Sequence, residues 1–114
     1  MKSRCGIMVA VTAAACLFLM HGAAVAVDAE AAEALARKEH CTKCHAVDKK
    51  KDGPAFKQVA AKYRNKPEGE EKLMKHVKSG EWVKLSTGEQ EEHRIIKTND
   101  EAAIRNLIQW ILSL

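Results

Sequence analysis

The feature that most constrains this sequence is a motif in which two cysteines precede a histidine. Cys41 and Cys44 are separated by Thr42 and Lys43, and His45 follows directly. This C-x-x-C-H spacing is typical of covalent c-type haem attachment. Two cysteines three positions apart can reach vinyl groups on adjacent pyrroles, and the next residue can place an imidazole on the iron. The motif therefore predicts one covalently attached haem c, held by Cys41 and Cys44, with His45 as the proximal ligand.

Three other roles for such a motif fit the sequence less well. A thioredoxin-like pair requires a βαβ context, and no strand pattern is visible. A structural zinc site requires four ligands, usually with a second pair at short spacing, and His76 and His93 are too scattered for that. A plain disulfide would not require His45. Haem also explains how a small domain can fold although only 4% of the chain is aromatic.

The first 26 residues have the layout of a secretory signal peptide. Lys2 and Arg4 provide a basic start, and residues 7–20 form an apolar run broken only by Thr12. That run is shorter than the ~20 residues needed to span a bilayer, which disfavours an uncleaved anchor. Small residues then lead to Ala26, where we expect cleavage. The sequence thus predicts export to the periplasm, with no stable membrane span after cleavage.

The remaining residues, 27–114, are predicted to form one haem domain. Without Lys2 and Arg4 the chain has 17 Lys and Arg against 15 Asp and Glu, a net charge of +2. This charge is too small for a nucleic-acid-binding surface. No Ser/His/Asp set, phosphate-binding loop or further metal cluster is visible. We therefore expect neither nucleic-acid binding nor an enzyme.

Apolar periodicity predicts an all-α domain of about four helices. The predicted helices cover residues 28–39, 55–63 and 68–79, and a strongly amphipathic last helix follows residue 101. Thr98 and Glu101 have the spacing of a capping box at the start of that last helix. Residues 81–97 show no sustained period and are predicted to be a long polar loop.

Several segments together resemble the short bacterial branch of class I cytochrome c. The matching segments are residues 41–48, 53–60, 63, 76–80, 100–102 and 109–113. The resemblance covers nearly all of the mature chain, and the ordered set is more specific for the fold than the haem motif alone. It implies that the first and last helices pack together while loops wrap one covalent haem.

The resemblance also implies roles for residues outside the motif. The carbonyl of Pro54 would accept the ring N–H of His45, which fixes the imidazole and raises its basicity. Trp110 would pack between helices. Trp82 would donate its indole N–H to a haem propionate or, alternatively, simply anchor a loop. His40 stands where the family tends to have Gly.

The sequence departs from the family at the distal iron ligand. The family takes a Met from a loop before the last helix, but residues 81–97 contain no Met. That loop contains His93, within about one residue of the family's Met when counted back from Trp110. His93 is therefore the predicted distal ligand. His76, Met74, or an open site with water remain alternatives.

Two functions follow from these expectations. A six-coordinate iron predicts an electron carrier, and imidazole in place of Met predicts a relatively low potential. If His93 is absent from the iron or detaches, the alternative is a gas-binding sensor or a small peroxidase. Lys43 and the lysines at 49–51 surround the attachment site and could dock redox partner proteins, although ordinary solvation of a loop explains them slightly better.

Overall fold

The structure is a computed structural model that describes residues 25–114. The predicted signal peptide therefore lies outside the described residues except for its last two positions. Within residues 25–114, none of the helices is long and apolar enough to cross a membrane. The elements, in chain order, are α1 (Ala29–Lys38), a short 3-10 turn (Cys41–Lys43), α2 (Phe56–Tyr63), α3 (Gly69–Ser79), β1 (Trp82–Lys84), β2 (Gln90–Glu92) and α4 (Glu101–Ser113).

Both terminal helices begin at an aspartate whose side chain caps the first turn. Asp28 accepts a hydrogen bond from the amide of Ala31 at 3.0 Å. Asp100 accepts one from the amide of Ala103, also at 3.0 Å. The predicted capping box beginning at Thr98 is therefore wrong by two positions. The hydroxyl of Thr98 instead accepts a hydrogen bond from the amide of Asp100 and supports the capping residue itself.

Helix α4 is the centre of the fold, because it packs against α1, α2 and α3. Its inner face is fully covered, and Ile104, Leu107 and Ile108 are each about 1% exposed. The start of α1 is tied to the middle of α4 by a pair of hydrogen bonds. The side chain of Asn106 accepts from the amide of Asp28 at 2.9 Å and donates to its carbonyl at 2.8 Å. The predicted pairing of the first and last helices is confirmed.

The segment predicted to be a polar loop contains a two-stranded hairpin. Strand β1 pairs antiparallel with β2, with Trp82 opposite Glu92 and Lys84 opposite Gln90. The turn is closed at Gly88, whose φ of 90° favours glycine. The sequence shows no apolar alternation that would predict these strands, because the side chains of β2 are all exposed. The all-α prediction is confirmed for the four helices, and this hairpin is the element that it missed in the described part of the chain.

Candidate haem site

A cavity of about 750 Å³ lies between the haem motif and the inner faces of α3 and α4. Its volume is within the range of about 300–1,000 Å³ that is usual for small-molecule and cofactor sites. Both cysteines of the motif and four histidines line the cavity, the histidines being His40, His45, His76 and His93. Much of the remaining wall is apolar and comprises Phe56, Val59, Leu73, Val77, Ile96, Leu107, Ile108 and Ile111.

The motif enters this cavity through a tight turn directly after α1. The amides of Cys44 and His45 both donate to the carbonyl of Cys41, at 3.2 and 3.0 Å. This turn places both cysteines, each half-buried, on the wall of the cavity, and no disulfide joins them. Within residues 25–114, no group of three or more His, Cys, Asp or Glu side chains is arranged to hold a metal ion.

His45 is held by one hydrogen bond and one aromatic contact. Its Nδ1–H donates to the carbonyl of Pro54 at 2.7 Å. The imidazole stacks on Phe56 with ring centroids 5.3 Å apart and planes 16° from parallel. Burial lowers the pKa of His45, although the hydrogen bond to Pro54 opposes this. The ring is therefore fixed in its neutral, metal-binding form, with Nδ1 occupied and Nε2 left as the available donor atom.

The backbone at Gly53 passes directly against the ring of His45. A Cβ at this position would lie 2.6 Å from Cε1 of His45 and 3.0 Å from its Nδ1. The amide of Gly53 also donates to the carbonyl of Cys44 at 2.8 Å, which ties the loop to the motif. Glycine is thus required here because the backbone approaches an imidazole closely.

His93 faces His45 across the cavity. It follows β2, and its amide donates to the carbonyl of Glu81 at 2.9 Å, which closes the base of the hairpin. The ring centroids of His45 and His93 are 6.2 Å apart and their planes differ by 56°. Nδ1 of His93 is buried without a hydrogen-bond partner. Burial, followed by the positive charge of neighbouring His76 and His45 when protonated, lowers the pKa of His93 to about 4.

His76, the alternative distal ligand, lies beside His93. The centroids of these two rings are 4.0 Å apart, with planes 45° from parallel. Nδ1–H of His76 donates to the carboxylate of Glu81, and the imidazole is only 30% exposed. The hydrogen bond from His76 is also the main reason that the pKa of Glu81 is lowered.

Comparison with known proteins identifies the family. The family model for cytochrome c matches residues 29–114. The chain belongs to the cytochrome c family. It is 34% identical to cytochrome c-551 of Pseudomonas aeruginosa over 85 residues, which cover 75% of this chain and 78% of the relative. It is 35% identical to cytochrome c-552 of Nitrosomonas europaea over 89 residues, covering 75% of this chain and 81% of the relative.

Solved structures agree with this assignment. The class 1 cytochrome MtoD from Sideroxydans lithotrophicus ES-1 is 56% identical, with a TM-score of 0.74, over 77% of this chain and 97% of that one. Wild-type cytochrome c552 of Nitrosomonas europaea is 32% identical, with a TM-score of 0.59, over 72% of this chain and 98% of that one. The predicted class I fold and the single covalent haem c are therefore confirmed.

The donor set of this cytochrome suits such a haem. Two cysteines three positions apart, followed by a fixed neutral imidazole, would provide the covalent attachments and one nitrogen ligand for the iron. The apolar wall on α4 and α3 provides a dry surface for the macrocycle. The roles of Cys41, Cys44 and His45 as individual residues remain predictions that follow from this arrangement.

The structure places some of the other predicted residues in the core and another away from the cavity. Trp110 is buried and meets Phe56 edge-on with centroids 5.7 Å apart. Trp82 is 67% exposed and is not among the described residues that line the cavity, so its bond to a propionate remains a prediction. Met74 is buried in the core cluster. His40 has a φ of 62°, which accounts for Gly at the equivalent family position.

Two residues of the site were missed by reasoning from the sequence. Gly53 received no role of its own in the sequence analysis, although its position directly before Pro54 signals a constrained turn. Glu81 was assigned to the polar loop, and no local pattern connects it with His76 five positions earlier. The left-handed Gly80, with a φ of 63°, ends α3 and turns the chain so that the two side chains meet.

Proposed function

We propose that residues 27–114 form an exported, periplasmic electron carrier in which His45 and His93 both bind the haem iron. The observation that carries this proposal is the 6.2 Å separation of the His45 and His93 ring centroids. A metal–imidazole bond is about 2.0–2.1 Å long, so two rings on opposite sides of one metal have centroids about 6–6.5 Å apart. The observed separation falls within that interval.

The environment of His93 supports the same role. Its lowered pKa keeps the imidazole neutral near pH 7, and only a neutral imidazole can bind metal. Met74, the methionine of residues 27–114, packs in the core cluster beside Leu73. The ring of the alternative ligand His76 lies beside that of His93, whereas the ring of His93 is the one that faces His45. Among the candidates, His93 best combines a neutral ring with a position opposite His45.

Two axial imidazoles determine the chemistry that we assign to this cytochrome. The haem iron, when bound, gains or loses one electron. With His45 and His93 in place, no coordination position is open to a substrate, which favours electron transfer over enzymatic turnover. Methionine as axial ligand raises the potential of a c-type haem, so an imidazole in its place gives a relatively low potential.

Export and partner binding complete the proposal. Residues 1–26 direct the chain across the inner membrane and are removed after Ala26, so that the mature protein begins at Val27. Its partners are redox proteins, an electron donor and an electron acceptor. Intact-mass analysis of the exported protein should give the mass of residues 27–114 plus one haem, and a bare polypeptide mass would contradict both attachment and function.

Spectroscopy of the oxidised protein tests the ligand assignment. We expect low-spin iron by low-temperature EPR, without the near-infrared sulfur-to-iron charge-transfer band of a Met-ligated haem. His93→Met should introduce the sulfur-to-iron band and raise the reduction potential. His93→Ala should produce high-spin iron that binds carbon monoxide when reduced.

A double variant controls for substitution by the neighbouring histidine. Because the His76 ring is 4.0 Å from that of His93, His76 could bind the iron once His93 is removed. We therefore expect His93→Ala combined with His76→Ala to be high-spin even if the single variant is not. A wild-type-like low-spin spectrum in the double variant would refute ligation by His93. A high-spin wild-type protein that binds carbon monoxide would favour a gas-binding or peroxidase function.

A further inference from the structure

We propose that His76 is a positioning residue, fixed by Glu81, that holds the ring of His93 and thereby sets the angle between the two axial imidazole planes. This inference rests on the proposed ligation of iron by His93. Its structural basis is the contact between His76 and His93 together with the hydrogen bond between His76 and Glu81.

The His93 ring lacks the hydrogen bond that normally orients a metal-binding imidazole. Such a histidine usually donates its second ring nitrogen to a carboxylate, a carbonyl or water. Nδ1 of His93 is buried and makes no hydrogen bond of good geometry with the described residues, and the backbone of Arg94 acts on the ring only weakly. The rotation of this ring about its Cβ–Cγ bond is therefore controlled by packing, and His76 provides a flat surface against it.

Glu81 makes His76 a fixed rather than a mobile wall. Its carboxylate accepts from Nδ1 of His76, while its backbone carbonyl accepts from the amide of His93 at 2.9 Å. One residue therefore holds the side chain of His76 and the backbone of His93 at once. A second backbone bond, from the amide of Ile96 to the carbonyl of Val77 at 2.9 Å, secures the same segment to the end of α3.

The consequence of this arrangement is electronic. The planes of His45 and His93 differ by 56°, between the parallel and perpendicular extremes. The angle between two axial imidazole planes determines how strongly the iron d orbitals are split. It therefore determines the highest g value of the low-spin ferric signal. Hydrogen bonding to Pro54 fixes the His45 plane, so the contact with His76 decides the angle.

The test compares the ferric EPR spectra of matched variants in the haem-loaded protein. His76→Ala should keep low-spin iron but shift the highest g value and broaden the signal, because the His93 ring gains rotational freedom. His76→Phe retains a flat ring and should restore a single narrow signal. Glu81→Ala should resemble His76→Ala, whereas Glu81→Gln retains the acceptor oxygen and should resemble the wild type. Lys78→Ala is the control. Lys78 lies two positions after His76 and pairs with Glu101, so its replacement should leave the EPR spectrum unchanged.

Each outcome has a defined meaning. A His76→Ala spectrum that superimposes on the wild type overturns the inference while leaving the bis-imidazole haem intact. A shift that His76→Phe does not reverse also overturns it, because the effect would then not arise from packing. High-spin iron in His76→Ala overturns it by making His76 a ligand. A wild-type protein without the bis-imidazole spectrum refutes the proposed function itself, before any variant is compared.

Discussion

Replacing Gly53 with alanine should disturb His45, the predicted proximal ligand, and the size of the effect can be worked out from the structure. The new Cβ would lie 2.6 Å from Cε1 of His45, whereas ordinary contacts of this kind are 3.4–4 Å. One of the two groups must therefore move by about 1 Å, as in other overpacked interiors. A movement of this size would break the 2.7 Å hydrogen bond between His45 and Pro54.

Two contributions to the free energy of unfolding follow from this movement. Overpacking costs about 1–3 kcal/mol, and the lost hydrogen bond costs about 0.5–1.5 kcal/mol. We therefore expect Gly53→Ala to lower the free energy of unfolding by about 2–4 kcal/mol. In a domain of this size, each kcal/mol corresponds to about 4–8 °C in Tm. The potential should rise as well, because the carbonyl of Pro54 no longer increases the basicity of His45.

The assay combines urea unfolding of the oxidised haem protein with a redox titration. Gly88→Ala is the matched control, because no atom lies within 4 Å of its Cβ and it is remote from His45. Its φ of 90° should reduce stability modestly but leave the potential unchanged. If Gly53→Ala had the stability and potential of the wild type, the close contact between Gly53 and His45 could not be what holds the proximal ligand.

Four further substitutions test the surrounding scaffold. Leu107→Ala, at a position 1% exposed, should lower the free energy of unfolding by about 2–5 kcal/mol. Ile95→Ala, at a position 50% exposed, should change it little, and equal effects in chemical denaturation would contradict the assigned core. His40→Gly should raise stability by about 0.5–1 kcal/mol, because glycine tolerates the left-handed backbone there; a lower Tm would show that the His40 side chain itself contributes. Asn106→Ala removes both hydrogen bonds to Asp28 and should cost about 1–2 kcal/mol, with faster amide exchange in α1 as the readout; unchanged exchange would refute this link.

The sequence predicted those parts of the fold that depend on local signals. The helix-capping Asp28 and the apolar face of α4 act within a few residues, so their effects are visible in the sequence. The hairpin was missed because it is stabilised by backbone pairing and β2 consists only of exposed polar residues, so the strands leave no apolar period. The misplaced N-cap has a similar cause, because Thr98 and Asp100 both suit a helix start and only the path of the chain decides between them.

The candidate site was predictable to a smaller extent. The spacing of Cys41, Cys44 and His45 is a covalent requirement of the haem, so the motif alone indicated the cofactor. The distance between His45 and His93 depends on the folding of about 48 intervening residues and could not be read from the sequence. The contact of His76 with Glu81 arises from the left-handed turn at Gly80, which reverses the chain at the end of α3.

The hydrogen-bonded pair Asp28 and Asn106 joins positions 78 residues apart. Closing so long a loop costs entropy, which the packing of α1 onto α4 must offset. Leu107 and Ile111 of α4 also line the haem cavity, so separation of the two helices would admit water to it. Water favours the more highly charged ferric iron, whereas a dry cavity favours the ferrous state. The packing of the first helix onto the last therefore also protects the surroundings of the haem from solvent.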